Sequence, residues 1–386
     1  MEGLALALII AMTVLLQATL FKRTAFKKLD YKCEFSTGEA HEGDEIFLVE
    51  TIYNKKLIPV PWLKVEINSS RWLEFAETRS VVAQENRHVT SSFFLRSYQK
   101  VTRRWSLKCL KRGVFRIDKV TLVSGDLLGN ATNSLPVDVN AEIQVYPQTI
   151  ELQKIFTPVN HLQGDTIVKR WIIEDPFIIS GVREYTTRDP MKKIHWNSTA
   201  RTGRLMVRQE DFTSKFGLSV ILNVQSIENE YFDAVYKDFI ELGIKAAATI
   251  FDIALRNGIP ARLASNGSTV DGERQMIYTQ EASGRSHISS LLAILAKMEL
   301  RRIRDFEDYT GDISEGITNS EIIVITSYLT EGICNILRKM KLKNNTVSIL
   351  VTNKSVNQDI LPADMDVYIL REDVLKDGED TLKDAG

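Results

Sequence analysis

Hydrophobic and polar positions follow three successive rhythms along this chain. Residues 3–21, GLALALIIAMTVLLQATLF, form an uncharged apolar run of nineteen residues. That length suffices to cross the hydrocarbon core of a bilayer as a helix. Glu2 precedes the run, and Lys22, Arg23, Lys27 and Lys28 follow it. A secretory leader carries its positive charge in front and a small-residue cleavage site behind, so this run reads as an anchor. Cationic flanks stay cytoplasmic, which predicts a single-pass protein of the cell membrane with the bulk of the chain in the cytoplasm.

From residue 32 to about 148 the rhythm is that of strands. The stretch 45–53 is rich in β-branched and aromatic residues, and 63–67 (Leu-Lys-Val-Glu-Ile) alternates strictly between apolar and charged. Further short runs at 89–96, 103–109, 114–117, 120–123 and 142–146 are separated by turn signals such as Lys111-Arg112-Gly113. Many short strands without a helical period predict an antiparallel β-sandwich.

Beyond residue 217 strand and helix alternate. Residues 218–222, Leu-Ser-Val-Ile-Leu, read as a strand buried on both faces. A helix is expected over 228–257, with Phe232, Val235, Phe239, Leu242, Ala246, Ile250 and Ile253 on one stripe, stopped by Asn257-Gly258 and Pro260. Strands are expected at 261–264, 275–279, 321–326, 346–352 and 367–370, with helices at 286–298 and 330–342. This alternation predicts a parallel sheet with helices on both faces. The resulting division is an anchor (1–22), a sandwich (32–148), a junction (149–216), an α/β domain (217–371) and a charged tail (372–386).

Composition narrows the functions. Forty-nine Lys and Arg against fifty Asp and Glu give a net charge of -1, so no global field recruits nucleic acid or anionic lipid. Cys33, Cys109 and Cys334 are far apart and odd in number, which speaks for buried free thiols over disulfides or a zinc site. There is no GxxxxGK[ST] loop, no GxGxxG after the 218–222 strand and no HExxH, so no cofactor is expected.

The densest chemistry lies at 181–209, GVREYTTRDPMKKIHWNSTARTGRLMVRQ. Asp189-Pro190 suits a helix start, with about three turns over 191–201 and Gly203 as the stop. Trp196 is expected to pack apart from Ile194 and Ala200, against the sheet or the sandwich. Arg183, Arg188, Arg201 and Arg204, with Glu184, Tyr185, Asp189 and Trp196, form either a partner surface or an internal charge network pinning the junction. Acidic Glu184, Asp189, Glu210 and Asp211 dilute the basic patch, which disfavours nucleic acid. An enzymatic alternative takes Glu184, Asp189 and His195 as the acid-base groups of a hydrolase or transferase. After the 218–222 strand, Asn223-Val224-Gln225-Ser226-Ile227 stands where an ion-dependent adhesion site carries Asp-x-Ser-x-Ser. Asn223, Gln225 and Ser226 thus make a metal motif without its carboxylate, and a divalent-ion-dependent binding module is a further alternative.

These residues resemble the signature of the prokaryotic family catalogued as domain of unknown function fifty-eight. Gly181, Arg183, Glu184 and Tyr185 open it, and Arg188, Asp189, Pro190, Ile194 and Trp196 form its core. Thr199, Ala200 and Arg201, then Leu205, Val207 and Arg208, complete it. The resemblance implies a membrane-anchored protein with a β-sandwich followed by a von Willebrand A-like, Rossmann-type domain. It also implies a MoxR-type AAA+ ATPase as partner in the assembly or maturation of other proteins. The role expected is a scaffold or adaptor with no catalysis of its own. Family members commonly carry two N-terminal membrane helices where this chain shows one.

Overall fold

The computed structural model describes residues 12, 24–76, 80–125, 132–150, 156–158, 179–186, 194–210, 217–231, 233–272, 274–356 and 360–370. The apolar run at 3–21 (Met12 apart), Arg188, Asp189 and the tail at 372–386 lie outside these residues. No helix among the described residues is long and apolar enough to cross a membrane. The chain divides into two compact units, Met1–Gln148 with Leu295–Lys297, and Thr149–Ile294 with Met298–Gly386.

The first unit is built from strands β1 (Leu29–Phe35), β2 (Glu39–His41), β3 (Glu45–Asn54), β4 (Val60–Ser70), β5 (Leu73–Phe75), β6 (Ser80–Ala83), β7 (Asn86–Leu95), β8 (Lys100–Cys109), β9 (Gly113–Gly125) and β10 (Thr132–Tyr146). They form a four-stranded sheet, β1-β3-β8-β5, and a six-stranded sheet, β2-β10-β9-β4-β7-β6. Every pairing is antiparallel except that of β2 with β10. Period-two patterning decides which side chains go inward. In β3, Ile46, Leu48, Glu50, Ile52 and Asn54 are buried while their neighbours face out. Leu48 and Ile52 of one sheet and Leu63, Val65, Val89 and Leu122 of the other share a single core.

The second unit begins with β11 (Phe156–Pro158), β12 (Ile179–Glu184), α1 (Trp196–Thr202) and β13 (Met206–Glu210). It continues through β14 (Gly217–Leu222), α2 (Lys237–Arg256), β15 (Ala261–Ser265), β16 (Gly267–Thr269), β17 (Ile277–Tyr278), α3 (Arg285–Lys297) and β18 (Met298–Arg302). Its last elements are α4 (Phe306–Ile313), β19 (Ser320–Thr326), α5 (Glu331–Leu342), β20 (Thr346–Val351) and β21 (Asp366–Leu370). The main sheet has the order β11-β21-β20-β19-β14-β15-β17. Its five central strands are parallel, and β11 and β17 are antiparallel edges. Right-handed crossovers require helices on both faces of such a sheet, and the burial agrees. Ile221, Val324 and Ile349 pack on one side with Phe306, Ile333 and Leu337 of α4 and α5. On the other side α2 comes so close that a Cβ on Gly243 would lie 3.1 Å from Ile325 Cγ2 and 3.2 Å from Leu222 Cδ1. Glycine is what permits this approach.

Three expectations are corrected. The helix expected from 228 begins at Lys237, and Val235, assigned to its apolar stripe, is exposed. A buried Glu230 captures the preceding segment in a different conformation. The helix expected over 191–201 is seen as Trp196–Thr202, capped by His195, with 191–193 outside the described residues. Trp196, expected to be covered by packing, is 67% exposed. Helix α4 and the β16–β18 ribbon were not expected at all.

Candidate functional site

The signature segment folds as a ribbon. β12 pairs antiparallel with β13, matching Arg183 to Val207 and Glu184 to Met206. Ile194 bridges to Val207 as well, so β13 is flanked on both sides and Ile194 and Val207 are buried. His195 then caps α1: its Nδ1 accepts from the Ser198 amide at 3.3 Å and lies 2.8 Å from Ser198 Oγ. Gly203, at φ 69°, ends the helix in the left-handed conformation that glycine tolerates. Thr199 Oγ1 accepts from the Met206 amide at 3.0 Å and closes the loop.

This geometry sorts the sequence-predicted residues. Arg204 Nη1 meets Glu184 Oε1 at 2.7 Å, both side chains largely exposed. Arg201 sits in the last turn of α1, where a cation suits the helix dipole, and is exposed. Tyr185 is half-buried, its amide donating to Leu205 O at 2.8 Å. Trp196 and Leu205 are exposed on the same ribbon. Of the residues of the hydrolase alternative, Glu184 is paired with Arg204, and His195 Nδ1 caps α1. Asp189 and Arg188 lie outside the described residues.

The second constellation is at the carboxyl edge of the parallel sheet. Strand order reverses between β14 and β19, and crevices at such a reversal are where open parallel sheets bind ligands. Asn223, Gln225 and Ser226 follow β14 here and are all buried. Asn223 Nδ2 donates to Thr326 Oγ1 at 3.0 Å, and its Oδ1 accepts from the Gln225 amide at 2.9 Å. Gln225 Oε1 accepts from the Phe306 amide at 3.2 Å and so helps to cap α4. Asp305 accepts from Arg302 at 2.7 Å, from Gln225 Nε2 at 3.4 Å and from the Glu307 amide at 3.1 Å. Ser327 Oγ, after β19, donates to the Ser226 and Gln225 carbonyls at 2.7 and 3.2 Å. Burial, then the charge of Asp305, pushes the Tyr328 phenol well above its usual range, so it stays protonated.

Glu230 organises the segment between this edge and α2. Only 3% exposed, it accepts from the Ser226 amide at 2.7 Å, from Ser226 Oγ at 2.5 Å and from the Val235 amide at 2.5 Å. Ser226 Oγ in turn accepts from the Tyr236 amide at 3.0 Å. Strand β18 holds the same segment from outside: Ala234 N donates to Leu300 O at 3.1 Å and Arg302 Nε to Tyr231 O at 2.5 Å. On this pinned backbone Tyr231 is 85%, Val235 59% and Tyr236 52% exposed. Sequence reasoning placed 228–236 in the following helix and missed the surface. The signal that could have found it was Tyr231, Val235 and Tyr236 lying close together beside an acidic residue with no helical partner.

The residues of the metal motif are therefore engaged within the protein, Asn223 with Gln225 and Thr326 and Ser226 with Glu230, with an amide where an ion would need a carboxylate. Among the described residues no three His, Cys, Asp or Glu side chains gather as metal ligands. Cys33, Cys109 and Cys334 are free and buried, and burial pushes the Cys33 thiol up to about 12 and Cys109 up to about 11. Such thiols are poor nucleophiles.

A β-rich first unit, a parallel sheet with a polar reversal point and a charged ribbon define the kind of protein this is. Residues 181–371 match the model of the family described as "Protein of unknown function DUF58", and the chain belongs to that family. It is similar to "Uncharacterized protein YeaD" of Bacillus subtilis (strain 168), 22% identical over 303 residues that cover 77% of this chain and 70% of the relative. Among solved structures it is similar to a non-cellulosomal cohesin of Archaeoglobus fulgidus (13% identical, TM-score 0.22, 32% of this chain and 94% of that one). A CARDB domain of a Pyrococcus furiosus protein is comparable (16% identical, TM-score 0.19, 32% of this chain and 98% of that one).

Proposed function

We propose that this protein is a membrane-anchored scaffold or adaptor on the cytoplasmic side, with a parallel-sheet domain of von Willebrand A type. It works with a MoxR-type AAA+ ATPase in the assembly or maturation of other proteins and catalyses no reaction itself. The observation that carries this reading is the carboxyl edge of the sheet. Its polar side chains are engaged with one another, while Tyr231, Val235 and Tyr236 face solvent on a backbone held by Glu230 and β18. A pre-organised apolar and aromatic surface binds a partner with little ordering cost, and tyrosines are frequent anchors at such sites. Trp196, exposed at the start of α1, supplies a second anchor.

Affinity capture of the full-length protein from detergent-solubilised native membranes tests this. Recovery of a AAA+ ATPase should fall at least tenfold for Tyr231→Ala with Tyr236→Ala, and also for Trp196→Ala, with unchanged thermal unfolding. Undiminished recovery by these variants, or turnover of a small molecule by the purified protein, defeats the proposal.

A further inference from the structure

One end of the first unit carries a surface that neither the ribbon nor the sheet edge explains. The β3–β4 and β7–β8 loops meet there and are stitched into one platform. Buried Asn54 donates from Nδ2 to Ile58 O at 3.0 Å and to Arg96 O at 2.9 Å, and its amide donates to Gln99 O at 3.0 Å. The Tyr98 amide donates to Lys56 O at 3.2 Å, and Ser97 Oγ donates to Leu57 O. Outward from this platform point Leu57, Ile58 and Tyr98, 72%, 54% and 61% exposed. Trp62, at the start of β4, is exposed beside them.

The platform is also basic. Lys27, Lys28, Lys55, Arg96 and Lys100 are exposed around the apolar tip, and Lys55 is paired with Asp30. The chain enters the unit at this end. Lys56 Nζ donates to Thr24 O and Ala25 O, both at 2.5 Å, tying the first described residues of the unit to the platform. Burial against those carbonyls pulls the Lys56 ammonium below its usual range. Immediately upstream in sequence are Lys22, Arg23 and the apolar run 3–21.

We infer that this end of the sandwich is a lipid-facing surface, with Leu57, Ile58, Trp62 and Tyr98 entering the interface of an anionic phospholipid bilayer beneath a collar of lysine and arginine. Aliphatic tips, a tryptophan and a tyrosine are the groups that settle between headgroups and acyl chains. Long cationic side chains around them reach anionic headgroups while their stems stay apolar. A protein partner would not require the chain's apolar segment to emerge at the same place; a bilayer does. The inference rests on the membrane anchoring proposed for this chain and adds that the first folded unit lies against the bilayer instead of hanging from a tether.

The test uses the full-length chain reconstituted in vesicles of phosphatidylcholine with and without phosphatidylglycerol. A Leu57→Cys variant carries an environment-sensitive fluorophore, and a Val81→Cys variant, exposed at the opposite end of the six-stranded sheet, is the control. Buried Cys33, Cys109 and Cys334 leave the unsubstituted chain as the labelling blank. The expected result is a blue shift at position 57, with quenching by shallow doxyl-labelled lipid several-fold stronger than at 81 and strongest with phosphatidylglycerol. A chain that floats with the vesicles while both labels stay in water overturns this inference and leaves the anchor intact. A chain that fails to float overturns both. Protection of position 57 only when native membrane proteins are added back marks a protein surface and also overturns it.

Discussion

Glu50 and Glu230 are both buried, one in each unit, and they are held in opposite ways. Glu50, fully buried on the inward face of β3, accepts from Tyr31 Oη at 3.1 Å, Ser91 Oγ at 3.4 Å and Trp105 Nε1 at 2.8 Å. Those donors come from β1, β7 and β8, so its carboxyl links the four-stranded sheet to the six-stranded one across the core. Glu230 accepts instead from Ser226 and from the amide of Val235, all within a few residues of itself. One carboxyl ties distant strands together, and the other shapes a single loop. A buried polar group is thus no guide to function by its type alone; the sequence distance to its donors tells whether it specifies the fold or presents a surface.

Replacing Glu50 by leucine is the strongest challenge to that contrast. It leaves the Tyr31, Ser91 and Trp105 donors without their acceptor in the core, at a cost of about 3 kcal/mol to the first unit. Urea unfolding of Glu50→Leu followed by tryptophan fluorescence should show a clearly lowered midpoint. An unchanged midpoint removes the claim that Glu50 joins the sheets.

Glu230→Ala should act locally. The Ser226 and Val235 amides lose their acceptor, so the free energy of opening the 226–236 segment falls by about 2 kcal/mol, roughly thirtyfold in hydrogen exchange at those amides. The global midpoint should move far less than in Glu50→Leu. A cooperative loss of the whole second unit would erase the distinction between the two carboxyls.

The sequence carried the frame of both units and little of this detail. Alternation along 45–53 put Glu50 in register with Ile46, Leu48 and Ile52, so its inward position was legible from period two alone. Its donors were not, because Tyr31, Ser91 and Trp105 are brought to it by strand pairing over long sequence distances. The apolar run of β14 announced a strand buried on both faces, those of β19 and β20 announced strands, and Gly203 announced the end of α1. Helical spacing misled at 228–236. There, Phe232 and Val235 fit a helical stripe, yet three hydrogen bonds to Glu230 outweigh that local preference. Helix α4 was detectable from Asp305 followed by Glu307 and Asp308, an N-cap with an acidic first turn.

Glu50→Gln sharpens the contrast through pH. Burial raises the Glu50 carboxyl above its usual range, against the opposing pull of Trp105 and Tyr31, which donate to it. The native state therefore keeps a proton that the unfolded chain releases at the ordinary carboxylate value of about 4.3. This group's contribution is fully present below that value and is lost as pH rises through the raised native one. The wild type should lose stability over this interval, and Glu50→Gln, which cannot ionise, should lack that slope at a fixed cost of about 1 kcal/mol. Urea midpoints of both proteins measured across the acid range check it; parallel curves would mean that Glu50 is not the group titrating.

The smallest effect has the opposite sign. Ser219, in the middle of β14, is fully buried like Glu50, yet its hydroxyl finds no hydrogen-bond partner among the described residues. If donors and acceptors are what make a buried polar group stabilising, this hydroxyl is a cost and Ser219→Ala should raise stability by about 0.5 to 1 kcal/mol. Ser91→Ala, the same chemical change at a hydroxyl that donates to Glu50, should lower it by a similar amount. The pair removes one oxygen from each of two buried serines, so packing losses largely cancel and the difference in urea midpoints reports on pairing. Equal shifts of the same sign would show that the hydrogen bonds to Glu50 add nothing net to the first unit, and the contrast between the two glutamates would then rest on Glu230 alone.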